Sequence, residues 1–423
     1  MILVYSAYSD NKLQYVASYI FEYRLGLTFQ IITDKEAFNT THATCKVNYS
    51  NDNQTSELKI PSSDYFSNFG KERIPEIQRQ LNINEDGELN FDAFASCFYL
   101  LARVEEYNGD IPKDAHDRFR SSSSILAKLS ILDVPIIDYW IQSLANFLNQ
   151  NQSIQTSLSE YSFKSTLDID QFFAFKHKPF AVRLGGTLKD FFTINWTRLR
   201  ERFQSEDPYD RISDIISWHK ELGIKLTTFI LVADRGTYDK NISSSKPVFL
   251  EKVSKISKSA EIGIHPSYYS MNSLKLIQKQ KHTLESLIGE SVILSRQHFL
   301  RMTMPSTYNA LVKAGIEMDY SMGYADRLGY RAGTSVPFYW FDLEQDAVTS
   351  LLIHPFQMMD VTFKNYLNLS PEQALEKAQT IIAHNKAVNG CTCLIWHNSS
   401  FYAAEGWAGW ETTYRKLLIE AMA

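Results

Sequence analysis

Read by its hydrophobic and polar positions, the chain changes rhythm near residue 160. Before that point strand-like and helix-like patterns are mixed. Alternating or β-branched apolar runs predict strands over 1–6, 28–33, 44–49 and 57–60. Apolar positions three and four apart predict helices over 12–23, 91–106 and 135–147. A polar stretch at 108–124 carries Asp114, His116, Asp117 and Arg118 and ends in serines. It reads as a solvated connector, with a ligand loop as the alternative. An Asn-, Gln- and Ser-rich segment at 149–159 reads as a linker.

From residue 162 the order is regular. A strand over 162–168 is followed by a long aromatic-rich insertion through Trp196 and Phe203. Asp207-Pro208 predicts a helix start and Gly223 its end, because Asp can accept from free N–H groups and Pro suits the first turn. Strands are expected over 225–232, 261–265 and 291–298, with helices over 247–257, 273–288 and 305–314. A further strand begins at Ile316. Ser370-Pro371 opens another helix that Gly390 ends, and 391–397 is the last strong strand. This alternation predicts parallel strands joined by crossover helices. A count of about seven or eight such strands suits a barrel, and no Gly-x-Gly-x-x-Gly or phosphate-loop pattern argues for a nucleotide-binding sheet. The expected fold class is α/β, with an N-terminal mixed α/β domain over 1–150 and a (β/α) barrel over 160–423.

Composition narrows the function classes only a little. A formal net charge of -5, with Lys and Arg scattered among acids, removes the electrostatic reason to expect nucleic acid. Met1-Ile-Leu-Val-Tyr5 has no cationic start and no small-residue cleavage site, so it reads as a first strand rather than a leader. No apolar segment reaches membrane-spanning length. Cys45, Cys97, Cys391 and Cys393 do not make a disulfide framework and read as core residues. The expected location is the cytoplasm.

The chemistry lies where predicted strands end. Asp168 and Asp170 stand in Thr166-Leu-Asp-Ile-Asp170, on one side of an extended segment. His265 ends Glu261-Ile-Gly-Ile-His265, His298 ends Ser295-Arg-Gln-His298, and His397 ends Cys393-Leu-Ile-Trp-His397. Strand C-termini of an α/β barrel open onto one face, so these distant residues can converge there. Carboxylate and imidazole together suit a divalent metal, zinc above all, with open positions for water and substrate. A second carboxylate can take a proton from water, and an imidazole walled by Trp396 can protonate a leaving amine. Arg296 and Arg331 are candidates for orienting a substrate, or equally for anchoring loops through Asp319 or Asp326. A buried salt-bridging role for the two Asp residues, and core roles for the histidines, are the bland alternatives. No Gly-x-Ser-x-Gly elbow is present, and no cysteine has a plausible His partner.

These motifs resemble the polysaccharide deacetylase superfamily, carbohydrate esterase family 4, over roughly residue 162 to the C-terminus. The resemblance is to a divergent bacterial branch with an extra N-terminal α/β domain, and it implies a distorted (β/α)7 barrel. In place of the family's Thr-Phe-Asp-Asp-Gly, this chain has Thr166-Leu-Asp-Ile-Asp170. The match implies that Asp168 is the base and Asp170 the metal ligand, or, given the added residue, the reverse. The family's His-Ser/Thr-x-x-His reads His265-Pro-Ser-Tyr-Tyr269 here, so Tyr269 stands where a second ligand is expected. Either His298 supplies that ligand, or the metal site is weakened or lost. Leu394-Ile-Trp-His397 matches the family's Leu-x-His with one residue added, which implies that His397 is the general acid. The implied activity is metal-dependent removal of acetyl groups from N-acetylated sugars. Arg296, Arg331, Trp396 and Tyr269 are candidate substrate contacts. An O-acetyl esterase and an inactive glycan-binding barrel are the alternatives.

Overall fold

The computed structural model describes residues 1–107, 109, 111–152 and 154–423. The expected connector at 108–124 and linker at 149–159 include residues 108, 110 and 153, which lie outside the described residues.

The first part builds a small parallel sheet. Its strands are β1 (Ile2–Tyr5), β2 (Phe29–Ile32), β3 (Cys45–Asn48) and β4 (Leu58–Lys59), in the order β2-β1-β3-β4. All four residues of β1 are buried, as expected for a parallel strand covered on both faces.

The second sheet carries the site. Its strands are β5 (Ser162–Ile169), β6 (Leu226–Leu231), β7 (Glu261–His265), β8 (Leu294–Ser295), β9 (Met318–Asp319), β10 (Phe338–Asp342), β11 (Ala347–Ile353), β12 (Met358–Met359) and β13 (Cys391–His397). Their order is β10-β11-β9-β8-β7-β6-β5-β13-β12, and every pair is parallel except β10 with β11. Every residue of β6, Thr227 and Thr228 included, is buried, as expected for a strand covered on both faces. Gly263 on β7 lets the neighbouring strand approach closely, because a Cβ there would meet the Phe229 ring at 2.6 Å. One stretch touches both ends of the parallel run. β11 pairs with β9, and a few residues later β12 pairs with β13. Between them His354 donates its N–H to Asp319 O (2.8 Å), and Gln357 donates to Cys393 O (3.3 Å).

Several local expectations are corrected. The helix expected from Asp207-Pro208 starts only at Ile212. Asp207 instead accepts from the backbone N–H groups of Ala174, Phe175, Lys176 and Tyr209, which ties the start of the insertion after β5 to its end. Gly223 does end that helix, in the left-handed conformation (φ 66°). The strand expected over 291–298 is only Leu294–Ser295, and His298 sits in a tight turn where Phe299 has φ 60°. The insertion is helical at Phe180–Phe192 and Trp196–Glu201. Ser370 and Gln373 form a capping box with Pro371 at the first turn, as the sequence pattern predicts.

Buried charges tie the two sheets together. The Glu106 carboxylate accepts from Arg331 Nε (2.8 Å) and Nη2 (2.5 Å) and from Arg103 Nε (2.8 Å). Burial alone pushes this carboxyl up, but the charges of Arg331 and then Arg103 outweigh it and bring it down to about 2. A carboxyl depressed on folding contributes stability above its unfolded value of 4.5, and loses it as pH falls toward the folded value. That contribution is about 3 kcal/mol. Glu106→Gln leaves the buried Arg331 guanidinium without a carboxylate and Arg103 with Glu105 alone, and is expected to destabilise by about 3–5 kcal/mol at neutral pH. The gap from wild type should shrink as pH falls below 4.5. Urea unfolding of both proteins at neutral and acid pH checks this, and a gap that stays constant would sink the idea.

Candidate metal centre

Parallel register brings the strand ends together. Asp170 directly follows β5, His265 ends β7, His397 ends β13, and His298 comes shortly after β8. Among the described residues, one ligand atom each from Asp170, His265 and His298 lies within 4.8 Å of the others. His265 Nε2 is 3.2 Å from Asp170 Oδ1, and His298 Nε2 is 3.6 Å from Asp170 Oδ2. His397 Nε2 is 4.0 Å from the same Oδ2. The Asp170 side chain is 31% exposed, whereas those of His265 and His298 are each 2% exposed, so the cluster opens to the surface through the carboxylate.

The far nitrogens decide which way the lone pairs point. His265 Nδ1 lies 2.5 Å from the carbonyl oxygen of Arg296, an acceptor only, so Nδ1 is the donor there. His298 Nδ1 lies 2.8 Å from Asp239 Oδ1 and donates likewise. In the neutral rings both Nε2 lone pairs then face a carboxylate that has its own lone pairs to share. Asp170 Oδ1 is buried and makes no hydrogen bond. Three Lewis bases aimed at one point, one with an orphaned buried oxygen, fit a divalent cation with two His and one carboxylate as ligands. Without a cation, protons would have to serve. Burial disfavours the His298 imidazolium, but Asp170 and Asp239 outweigh it and push the ring up to about 9. Burial likewise raises Asp170, yet His298, His265 and His397 hold it well below the usual carboxylate range.

Two further pairs flank the triad. Asp168 Oδ1 accepts from Arg296 Nη1 (2.7 Å), and its Oδ2 lies 3.9 Å from His265 Nε2. Arg296 also donates to Thr166 Oγ1 and Tyr320 O and lies over the Phe229 ring. His397 Nδ1 lies 2.8 Å from Asp360 Oδ1, and its N–H donates to Oδ2 (2.7 Å). Burial disfavours its charged form, but Asp360, Asp170 and Asp168 push the ring up to about 10. The site therefore holds one carboxylate fixed by a guanidinium and one imidazole held protonated by a carboxylate.

The structure gathers Asp168, Asp170, His265, His298 and His397 and sets Arg296 against Asp168, but it turns Arg331 and Trp396 away from them. Arg296 is wholly buried, with Nε donating to Tyr320 O and Nη1 to Thr166 and Asp168, so it positions Asp168, while its buried Nη2 has no partner among the described residues. Arg331 is spent on Glu106. Trp396 is fully buried against Tyr414, Trp410 and Phe401, because it alternates away from His397 on β13. Tyr269 alone is at the surface, beside Tyr268 and Tyr238. The stretch expected to be a solvated connector packs onto this rim. His116 Nδ1 lies 3.2 Å from Tyr268 Oη, and Arg118 donates to Phe299 O (3.0 Å).

Asp239 and Asp360 escaped the sequence reading. Asp360 follows a strand of only two residues, too short to show a period, and Asp239 lies well down the loop after β6. Asp239→Ala frees His298 Nδ1 and is expected to weaken zinc binding about 10–100-fold. A competition titration against a chromophoric chelator reads this, and an unchanged affinity would remove Asp239 from the site.

Residues 2–153 match a family of unknown function (DUF7033). No curated protein matches the chain. Among solved structures it is similar to a Mycobacterium smegmatis protein that carries the name polysaccharide deacetylase, at 15% identity and a TM-score of 0.43, over 63% of this chain and 85% of that one. A Pseudomonas aeruginosa PAO1 protein carrying the same name matches at 11% identity and a TM-score of 0.39, over 62% and 85%. A carbohydrate esterase family 4 pseudoenzyme from Bacillus anthracis matches at 11% identity and a TM-score of 0.30, over 60% of each chain.

Proposed function

We propose that this chain is a zinc-dependent hydrolase that removes acetyl groups from N-acetylated sugars of a glycan or glycan precursor. The observation that carries the reading is the orientation of His265 and His298, each with Nδ1 committed as a donor and Nε2 turned to Asp170. Asp170, His265 and His298 would hold the cation. When bound, it acidifies a water and polarises a carbonyl oxygen. Asp168 accepts the proton of the attacking water, and Arg296 keeps that carboxylate oriented. His397, held charged by Asp360, lies 4.0 Å from Asp170 Oδ2 and donates its proton to the departing amine.

The scaffold reading follows the same lines. β11 and β12 act as one bent strand that joins β9 to β13, which closes the parallel run into a distorted (β/α)7 barrel. Residues 1–150 form an accessory domain, and the His116–Arg118 stretch makes it part of the cleft wall.

Acetate release from N-acetylated and O-acetylated oligosaccharides, by zinc-loaded and metal-stripped protein, tests the function. Release from the N-acetylated series that depends on zinc is the expected result. Release from esters alone would assign an O-acetyl esterase. No release from either by zinc-loaded protein would leave a binding barrel.

A further inference from the structure

The insertion after β5 builds a second cavity against the metal centre. It encloses about 460 Å³, and its wall includes Gln171, the residue after Asp170. Asn398, the residue after His397, donates to Gln171 O (2.9 Å) and Tyr209 O (2.8 Å), both on that wall. Cavity and metal centre thus share a seam of chain.

The charge of this cavity is unlike that of the molecule. Lys178, Arg183, Lys189, Arg198, Arg202 and Lys240 line it, against two carboxylates, Asp190 and Glu405. Arg198 faces both acids and Arg202 bonds Asp190. Lys178, Arg183, Lys189 and Lys240 have no acid partner among the described residues. Six cations less two acids is a surplus of four, in a chain whose formal net charge is -5. The arrangement is built rather than splayed. Arg202 and Arg198 lie over the Phe175 ring at 4.5 and 5.3 Å. Gly186 makes room for Arg202, since a Cβ there would meet its guanidinium at 2.5 Å. Burial, and then the charge of Arg235, brings Lys178 down to about 8, and among the described residues its ammonium donates only to Gln171 Oε1 (2.9 Å). Lys178 is half-buried while Arg183, Lys189 and Lys240 are exposed, and like charges gathered around one cleft repel one another unless an anion joins them.

We propose that this cavity binds a phosphate group of the substrate, so that the acetylated sugar presented to the metal centre is phosphorylated. The inference rests on the proposed function. Guanidinium and ammonium donors converging from several sides suit the oxygens of a phosphate or pyrophosphate better than one planar carboxylate. A phosphate can come from a soluble sugar phosphate or from a lipid headgroup. The wall helix, Phe180–Phe192, turns Phe180, Leu184, Leu188 and Phe191 outward at helical spacing, between 48 and 77% exposed. An apolar stripe flanked by Arg183 and Lys189 favours the lipid source.

The test is calorimetric titration of inorganic pyrophosphate into the zinc-loaded full chain, its Lys178→Gln/Lys240→Gln double variant, and His298→Ala. Wild type should bind, the double variant at least about tenfold more weakly with zinc content and circular dichroism unchanged, and His298→Ala as wild type. No binding by wild type at about 10 mM, equal binding by the double variant, or loss in His298→Ala would each overturn the cavity as the site. A second arm sediments the protein with phosphatidylglycerol vesicles. Capture that pyrophosphate reverses supports a lipid-borne phosphate, and pyrophosphate binding without capture supports a soluble one. Capture without any pyrophosphate binding overturns the proposal. Failure of the hydrolase reading is seen separately, as absent acetate release with pyrophosphate binding intact.

Discussion

Replacing His298 with alanine is expected to strip the protein of its metal. Wild type, purified and dialysed against zinc, should carry close to one equivalent by elemental analysis, and the variant almost none. Of the three groups converging on one point, only Asp170 and His265 match the motif positions, and a carboxylate with one imidazole is a poor zinc site. Loss of a group outside the ligand set commonly costs 10–100-fold in affinity, so loss of a ligand should cost more than about 100-fold. All acetate release should go with it. His298 is buried against Asp239, so the variant could also loosen the turn around it. His298→Gln, which fills similar space, separates the two effects: it should keep the melting temperature and still lose the metal. A wild type that takes up no zinc would mean that the histidine missing from the motif was not replaced, and the chain would then be studied as a binding protein.

Asp168→Asn is expected to do the opposite, keeping the metal and losing turnover by about 10²–10⁴-fold in kcat. The amide occupies the same volume beside Arg296 but cannot take a proton. Removing one partner of a buried ion pair also costs stability, on the order of 3–5 kcal/mol, so zinc content and melting must be measured with the rate. The reading is decided by which property fails. If Asp168→Asn loses zinc while Asp170→Asn keeps it, the two carboxylates exchange roles, as the extra residue in Thr166-Leu-Asp-Ile-Asp170 allows.

Much of this site was legible in the residues themselves. The rhythm of apolar runs and glycine or proline stops placed β5, β6, β7 and β13 nearly where they lie. Because parallel strands end on one edge, polar residues at those ends were natural candidates to meet. The reading failed where periodicity had too little chain to work on. β8, β9 and β12 are two residues each, so Asp360 carried no strand signal and His298 was placed on a strand rather than in a turn. The helical insertion was missed because its apolar stripe faces outward, and no core contact marks it.

The sequence by itself determined the alternating architecture and the residue types at the strand ends, because side-chain period and turn chemistry are local. Tertiary structure alone decided which of those residues meet and what each faces. Arg296, Arg331 and Trp396 look as able to touch a substrate as Tyr269 does, yet register and side-chain direction send the first three into the interior and leave Tyr269 outside. The same holds for the ligand set. Whether His298 reaches Asp170 depends on a left-handed turn at Phe299 and on a hydrogen bond from His298 to Asp239, which lies far away in sequence. Metal coordination tolerates errors of only a few tenths of an ångström, a precision set by packing rather than by pattern.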